Sequence, residues 1–365
     1  MKVLMFSADS SIPQSGSPAQ RRMIEYGSLV EKLFIVVLSK KRVHGPILDI
    51  SQNVKVYSSW FWSAWRMGKM FKNEGISLVT AQDPFEIGLI GYLAVRRLKA
   101  KLQLQIHTDF LSPYFIDSFK NRIRMWLAKR LLPKADSIRV VSERIKRSLI
   151  GLGLPEEKIM VLPISYDEEK IKSEPVTIDL HKKYQQFNFI ILMASRLERE
   201  KNIEMAIDAM VDMVKSNQMV GLIIAGDGSL KEELQKRVSK NNLENNVIFE
   251  GWVKDLSSYY KTADVLWNTS NYEGYGRATR MANVSGTSVV TTDVGLAGDV
   301  LNNNDCFVIA VGDKQLLVDS TLKLMADKPL REEFAKRAQQ SALSLVMTKE
   351  EYLQKYKQSW EMALL

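Results

Sequence analysis

The sequence predicts an α/β protein of two doubly wound, Rossmann-like domains in tandem, facing each other across a cleft. Three observations carry that expectation. Short apolar runs bounded by turn residues alternate with amphipathic, helix-length segments along the whole chain. The alternation pauses once, at residues 165–186, where SYDEEKIKSEPVTIDLHKKYQQ is polar and charged with Pro175 inside it, and then resumes. At 365 residues the chain has room for about two domains, each with its own core.

In the first half the strand candidates are KVLMFS from Lys2, LFIVVLS from Leu33, NVKVYS from Asn53, SLVTAQ from Ser77, LQLQIH from Leu102, SIRVVS from Ser137 and IMVLP from Ile159. Helix-length pieces separate most of them, including PAQRRMIEYGSLVEK from Pro18 and PFEIGLIGYLAVRRLK from Pro84. Strand, helix, strand at this spacing implies right-handed crossovers and a parallel sheet covered on both faces. After the pause come FIILMAS, VGLIIAG, NVIFEGW, VLWNTS, SVVTTDV and CFVIAV. Two helix starts are legible as capping boxes, Ser229 with Glu232 and Thr348 with Glu351. The last helix, from Thr348 to about Met362, carries Tyr352, Tyr356 and Trp360 on one face. The expected division is 1–170, 171–347 and a C-terminal helix at 348–365.

Composition narrows the function. A hydrophobic fraction of 45% with 25% charged residues is that of a globular chain. The longest uncharged apolar run, Ile87 to Val95, is short of the roughly 20 residues a membrane span takes. The apolar run at the N-terminus ends before Asp9, below the length of a secretory core, so a cytoplasmic protein is expected. Cys306 is the single cysteine and His44, His107 and His181 are scattered, which excludes a disulfide and a thiolate or histidine zinc site by spacing. No cofactor and no metal is expected. The net charge of +9 divides into +11 for residues 1–170 and −2 for 171–365, so basic surface belongs to the first half. Such surface attracts nucleic acid, anionic lipid or phosphorylated small molecules. The chain lacks the aromatic stacking platform and compact basic motif of nucleic-acid binders. It also lacks a GxGxxG after its first strand, which counts against a nicotinamide or flavin oxidoreductase.

In doubly wound folds ligands sit beyond the carboxyl ends of the strands. Four strand ends hold candidates. In MASRLEREKN, Arg196 follows a strand and Lys201 opens a helix, an arrangement suited to an anion such as a diphosphate; solvated charges balanced by Glu198, Glu200 and Glu204 are the other reading. In AGDGSL, Gly226, Asp227 and Gly228 lie between a strand and a helix, as a ligand loop or as a tight turn that needs glycine. In QIHTDFLSPYF, His107 stands at a strand end where it can bond a sugar hydroxyl or a phosphate oxygen with Asp109 to orient it, or serve local structure. In NTSNYEGYG, Glu273 precedes Gly274, Tyr275 and Gly276; the carboxylate can take two sugar hydroxyls, or pair with Arg277 one turn on.

Taken in their order along nearly the whole chain, these pieces resemble the retaining nucleotide-sugar-dependent glycosyltransferases of the GT-B fold, family 4 in particular. The resemblance runs through QDPFEIGLIGYL, IHTDFLSPYF, ADSIRVVSERI, ASRLEREKN, AGDGSL, EGWV, YYKTADVLWNTSNYEGYG and TTDVGLAG. It implies two domains that close on a nucleotide-sugar donor and a last helix that returns to the first domain. It also implies transfer of a hexose to a lipid-linked or polysaccharide acceptor of the cell envelope. By the same resemblance Arg196 and Lys201 take the donor diphosphate, Glu273 the hydroxyls of the transferred sugar, and His107 a sugar or phosphate contact from the opposite domain. The strand-end loops at Gly226–Gly228 and Gly274–Gly276 line the donor. Gly16, in SSIPQSGSPAQ, stands alone where the family has paired glycines. A second glutamate, eight positions after the first, holds the ribose in that family; here the position is Met281, whose helical neighbours Ala278, Ala282 and Ser285 make a packed methionine the simpler reading. Weak donor binding, or a catalytically silent partner protein, follows as the alternative, and Met281→Glu is expected to tighten donor binding. No paired aspartates follow a strand, so metal-independent chemistry is expected. A hydrolase would need two facing carboxylates, and only Glu273 qualifies.

One segment points to a membrane surface. FKNRIRMWLAKRLLPK, from Phe119 to Lys134, has six basic residues and no acid, with Ile123, Leu127 and Leu131 at helical spacing. Arg122, Arg124, Lys129 and Arg130 are the candidates for contact with anionic lipid. Trp60, Trp62 and Trp65 either add to such an interface or belong to the core.

Overall fold

A computed structural model describes residues 1–39, 48–60, 69–165 and 168–365. Trp62, Trp65 and His44 lie outside the described residues. The chain forms two compact units, Met1–Ile164 with Met347–Leu365, and Ser165–Val346.

The first unit is built on an eight-stranded sheet in the order β3-β4-β2-β1-β5-β6-β7-β8. The strands are β1 (Lys2–Ser7), β2 (Lys32–Ser39), β3 (Leu48–Ser51), β4 (Val54–Trp60), β5 (Leu78–Ala81), β6 (Lys101–Ile106), β7 (Ser137–Val140) and β8 (Ile159–Val161). All pair in parallel except β3 with β4. Continuous burial along β1, β5 and β7 is what a parallel sheet covered on both faces requires; an apolar run supplies it in β1, while β5 and β7 also bury Thr80, Ser137 and Arg139. The strand missed in the sequence is β3. LDIS is short, half exposed and interrupted by Asp49, so it carries no strong strand signal; it adds to the edge as an antiparallel partner. Helices α1 (Pro18–Gly27), α2 (Glu86–Leu98), α3 (Phe119–Leu131) and α4 (Glu143–Gly151) belong to this unit.

The second unit has a six-stranded parallel sheet in the order β11-β10-β9-β12-β13-β14. Its strands are β9 (Phe189–Ala194), β10 (Val220–Ala225), β11 (Val247–Gly251), β12 (Val265–Asn268), β13 (Ser288–Thr292) and β14 (Phe307–Ile309). Helices α5 (Glu168–Ser173), α6 (Leu180–Lys183), α7 (Ile203–Ser216), α8 (Lys231–Lys240), α9 (Leu256–Thr262), α10 (Arg277–Val284), α11 (Lys314–Ala326) and α12 (Lys328–Leu343) surround it. The core on the α7 side gathers Met205, Ile207, Met210 and Met213 against Ile191, Leu222 and Trp267. Burial of side chains of this size contributes about 1.5–3 kcal/mol each.

The division falls at Ile164/Ser165, six residues before the expected boundary. Its physical reason is a buried ion pair: Arg280 on α10 donates from Nε and Nη2 to the two oxygens of Glu168, at 2.8 and 2.9 Å, which ties α5 to the second unit. The chain returns to the first unit at Met347, where helix α13 (Lys349–Glu361) is capped by Thr348 and Glu351 as the capping box predicts. The other expected capping box does not form. Ser229 gives its N–H and hydroxyl to Glu198, at 3.1 and 2.7 Å, and α8 begins only at Lys231.

Helix α3 also differs from its sequence reading. Leu131 is buried whereas Ile123 is exposed, so the expected stripe of Ile123, Leu127 and Leu131 does not face one way. Arg124 leaves the group of surface cations, because its Nε lies 2.9 and 3.0 Å from the two oxygens of Glu86 and its guanidinium covers Phe85.

Candidate functional site

In the second unit β9 and β12 are neighbours, so the loops leaving their carboxyl ends lie side by side. Backbone and side-chain bonds stitch them together. The Thr269 hydroxyl lies 2.9 and 3.1 Å from the carbonyls of Lys201 and Asn202, Asn202 Nδ2 donates to Asn271 Oδ1 at 3.1 Å, and the Asn271 N–H donates to the Glu200 carbonyl at 2.8 Å. Asn202 takes a left-handed backbone, φ +47°, which turns the chain from the single 3-10 turn Arg199–Lys201 into α7.

This stitching sets two charged side chains against each other. Lys201 Nζ donates to Glu273 Oε1 at 2.7 Å, and Ser270 Oγ lies 2.8 Å from the same oxygen. The side chains are only 15% and 12% exposed, so the pair is held in a partly dehydrated setting where electrostatic interactions are strong. Arg196 behaves differently. It is exposed and donates to Glu200 at 2.6 Å, so the two expected diphosphate cations part company: Lys201 turns in to the carboxylate and Arg196 turns out.

The glycines around the pair answer to packing. Gly226, at φ +150°, sits so close to the first loop that a Cβ would lie 1.8 Å from the Ser195 carbonyl oxygen. At Gly228 a Cβ would meet the Leu197 backbone at 2.5 Å. The loop's N–H and C=O groups close the same junction, Gly226 to Gly251 and Leu197 to Asp227. Asp227 Oδ1 accepts the Gly228 N–H. After Glu273, Gly274 and Tyr275 lead into Gly276, the N-cap of α10 at φ +90°, and the Tyr275 carbonyl is fixed by the Leu296 N–H at 2.8 Å. Met281 is buried in a cluster with Tyr259, Tyr260, Leu266 and Ala282, and its thioether supplies packing where a carboxylate would supply a hydrogen bond.

The first unit places the remaining candidates. His107 follows β6, with its Nδ1 buried and without a hydrogen-bond partner among the described residues. Burial and then the guanidiniums of Arg139 and Arg22 push the imidazole down to about 3, so it is neutral at physiological pH. The sequence reading paired it with Asp109. Instead the Asp109 carboxylate accepts the N–H groups of Leu111 and Ser112 in its own loop, and its burial raises its pKa. Gly16 has φ +73° and gives its N–H to Gln20 Oε1 at 2.9 Å, while Ser17 caps α1 through the Gln20 N–H. The helix entry is thus satisfied by its own side chains. Among the described residues no three His, Cys, Asp or Glu side chains gather as metal ligands, and no helix is long and apolar enough to cross a membrane.

Residues 179–341 match the family described as glycosyl transferases group 1, and residues 31–170 match glycosyltransferase family 4. The chain belongs to the family 4-like glycosyltransferases of the GT-B fold. The chain is 27% identical over 232 residues to the α-monoglucosyldiacylglycerol synthase of Streptococcus pneumoniae, covering 60% of this chain and 52% of that one. It is 25% identical over 304 residues to the capsular polysaccharide biosynthesis glycosyltransferase CapM of Staphylococcus aureus, covering 78% and 77%. It therefore spans about half the length of the first relative and about three quarters of the second. In fold it is similar to HepE of Anabaena in complex with UDP and glucose, with TM-score 0.76, 21% identity and 98% and 99% of the two chains covered. It is similar also to sucrose-phosphate synthase of Thermosynechococcus elongatus, with TM-score 0.81, 17% identity and 99% of each chain covered.

Three residues of the chain, one after a strand, one in a strand and one on a helix, escape a search for motifs. Trp252 follows β11 and is 85% exposed, at odds with the burial expected of so large an apolar ring. Arg139 is a basic residue inside the apolar strand SIRVVS and is buried. Arg22 is one of several charges on α1 and acquires meaning only from what faces it.

Proposed function

We propose that the protein transfers a hexose from a nucleotide sugar to a lipid-linked or polysaccharide acceptor, with retention of configuration and without a metal. The observation that carries this reading is the Lys201–Glu273 pair, set at the carboxyl ends of two adjacent parallel strands by bonds between their loops. As the sugar–phosphate bond breaks, negative charge gathers on the leaving diphosphate and the anomeric carbon gains oxocarbenium character. Lys201, with Arg196 swinging from Glu200, stabilises the first; Glu273 holds the sugar's hydroxyls and orients the ring. The acceptor hydroxyl attacks from the leaving-group face, and Glu273 forms no covalent bond. Names among the relatives support the substrate classes: the pneumococcal protein is a diacylglycerol glycolipid synthase, CapM serves capsular polysaccharide, and HepE was solved with UDP and glucose.

With Met281 packed away, the nucleoside needs another hold, and Trp252 is placed to give it. Strand order puts β11 two positions from β9, about 10 Å at ordinary strand spacing, on the side away from Glu273. A sugar at Glu273 and a diphosphate at Lys201 then direct the base towards the exposed indole. Nucleoside diphosphates are expected to raise the melting temperature, since a ligand of the folded state stabilises it. Trp252→Ala should weaken their binding at least fivefold, the effect of losing a base–aromatic stack, and leave a hexose 1-phosphate unaffected. A panel of nucleotide sugars that yields no release of nucleoside diphosphate would leave the silent-partner reading standing.

A second face of the first unit favours docking on an anionic bilayer. Phe119, Ile123 and Trp126 fall at i, i+4 and i+7 on one side of α3 and are 78%, 49% and 58% exposed. Lys120, Arg122, Lys129 and Arg130 are exposed beside them, and Arg130 covers the Trp126 ring at 5.4 Å. An apolar stripe flanked by cations suits the headgroup boundary, each charge contributing about 1 kcal/mol near anionic lipid. Co-sedimentation with anionic liposomes should exceed that with neutral ones and fall sharply in the triple variant F119S/I123S/W126S. Equal recovery with both vesicles would remove this face from the mechanism.

A further inference from the structure

The first unit contains a cavity of about 170 Å³ whose lining includes Asp9, Arg22, Gln82, His107, Arg139 and Tyr356. It is well below the roughly 300 Å³ at which sites enclose drug-sized ligands, so its occupant is a small group and not a nucleotide. Its lining is unusual in charge. Arg139 is buried, and its hydrogen bonds among the described residues go to neutral oxygens: Nε to the Leu162 carbonyl at 3.0 Å, Nη1 to Gln105 Oε1 at 3.0 Å, and Nη2 to the Pro163 carbonyl at 3.1 Å and the Tyr352 hydroxyl at 3.2 Å. The guanidinium also covers the Tyr356 ring at 4.8 Å. Neutral partners satisfy its N–H groups but leave its charge uncompensated in a dehydrated setting.

Other groups around the cavity add donors. Arg22 reaches it from α1 and forms no ion pair among the described residues. His107 Nδ1 is buried without a partner among the described residues, and as a neutral imidazole it can donate from that nitrogen. The Gln82 carbonyl is taken by the Ser7 hydroxyl at 2.5 Å, and its amide nitrogen has among the described residues a 3.5 Å contact to the Met5 sulfur. Asp9 is the single acid of the lining, and its Oδ1 already accepts the N–H and hydroxyl of Ser11 at 2.9 and 2.5 Å. The positive field of Arg139 and Arg22, with donors on Arg22 from α1 and on His107 after β6, describes a receptor for a compact oxyanion.

We propose that this cavity receives a phosphoryl group carried by the acceptor, so that the acceptor is a phosphorylated polyol or sugar, one of whose hydroxyls bonds to Asp9. Calling that ligand the acceptor rests on the glycosyltransferase reading; the binding itself does not. The test uses the full chain and no donor. Glycerol phosphate and inorganic phosphate are titrated and followed by calorimetry, with glycerol as the neutral control and with the variants Arg22→Gln and Arg22→Lys. Saturable binding of both phosphates, none of glycerol, about a tenfold loss in R22Q for one charged hydrogen bond, and partial retention in R22K are expected. Binding should survive a saturating nucleoside diphosphate, which separates an acceptor phosphate from the donor's own. Unchanged affinity in R22Q, equal binding of glycerol, or displacement by the nucleoside diphosphate would each overturn the proposal. Phosphate binding that fails while nucleotide sugars still turn over would sink this inference alone.

Discussion

Lys201→Met is expected to lower kcat about 10²- to 10³-fold and to cost about 3 kcal/mol of stability. The first figure is the usual loss when one preorganised charge is taken from a leaving group. The second arises because the variant strands the Glu273 carboxylate, 12% exposed, with the Ser270 hydroxyl left beside it; breaking a buried pair from one side costs about 3–5 kcal/mol, and the low end applies where the pair still touches solvent. The two effects separate in the double variant K201M/E273Q. With both charges gone the stability should return to within about 1 kcal/mol of the parent, because a neutral amide tolerates the site that a lone carboxylate does not. Turnover should stay lost. Urea denaturation reads the first and release of nucleoside diphosphate the second. A K201M enzyme with ordinary kcat would show that the ammonium merely braces two loops.

Much of that site was readable from residue types, and the unread part has a definite physical cause. Lys201 and Glu273 were visible because a strand end followed by a charged helix entry is a local pattern. That they touch was not visible, since the contact depends on β9 and β12 being neighbours and on Thr269, Asn202 and Asn271 joining their loops. For the same reason Arg196, with an equally good local pattern, could not be seen to prefer Glu200. Gly226 shows the converse. Its sequence context left a ligand loop and a tight turn open, and what demands glycine is the Ser195 carbonyl of a neighbouring strand end. Short apolar runs bounded by turns carried the parallel strands even where they hold Gln103, Gln105 or Arg139, and lost β3, whose burial is partial and whose pairing is at an edge. The stripe on α3 was misread because helical spacing alone does not say which of two apolar faces meets the sheet; Leu131 went in, and Phe119, Ile123 and Trp126 stayed out. Arg139 and Arg22 carry no pattern at all until the fold closes a cavity around them.

Tyr356→Ala should destabilise the first unit by about 3–5 kcal/mol, the cost of deleting a fully buried aromatic side chain. The last helix is remote in sequence from the sheet it covers, yet Tyr352, Tyr356, Trp360 and Ala363 share one core with Met5, Ile35 and Val37. Tyr356 is its centre: its ring stacks on Tyr26 at 3.8 Å and 12°, meets Trp360 edge-on at 5.0 Å, and bears the Arg139 guanidinium. Its hydroxyl lies 3.3 Å from Gln105 Nε2, and one helical turn on Gln103 donates to the Ser359 carbonyl. Tyr356→Phe keeps the ring and loses one neutral hydrogen bond, so it should cost only about 1 kcal/mol. The alanine variant removes the stack and cation–π contact as well, and leaves Arg139 with a void beside its charge. Thermal unfolding of the two variants gives the comparison. If alanine cost no more than phenylalanine, the helix would be an appendage to the sheet. A large gap between them would show that the C-terminal 19 residues, Met347 to Leu365, complete the core of the unit that the chain began with its first strand.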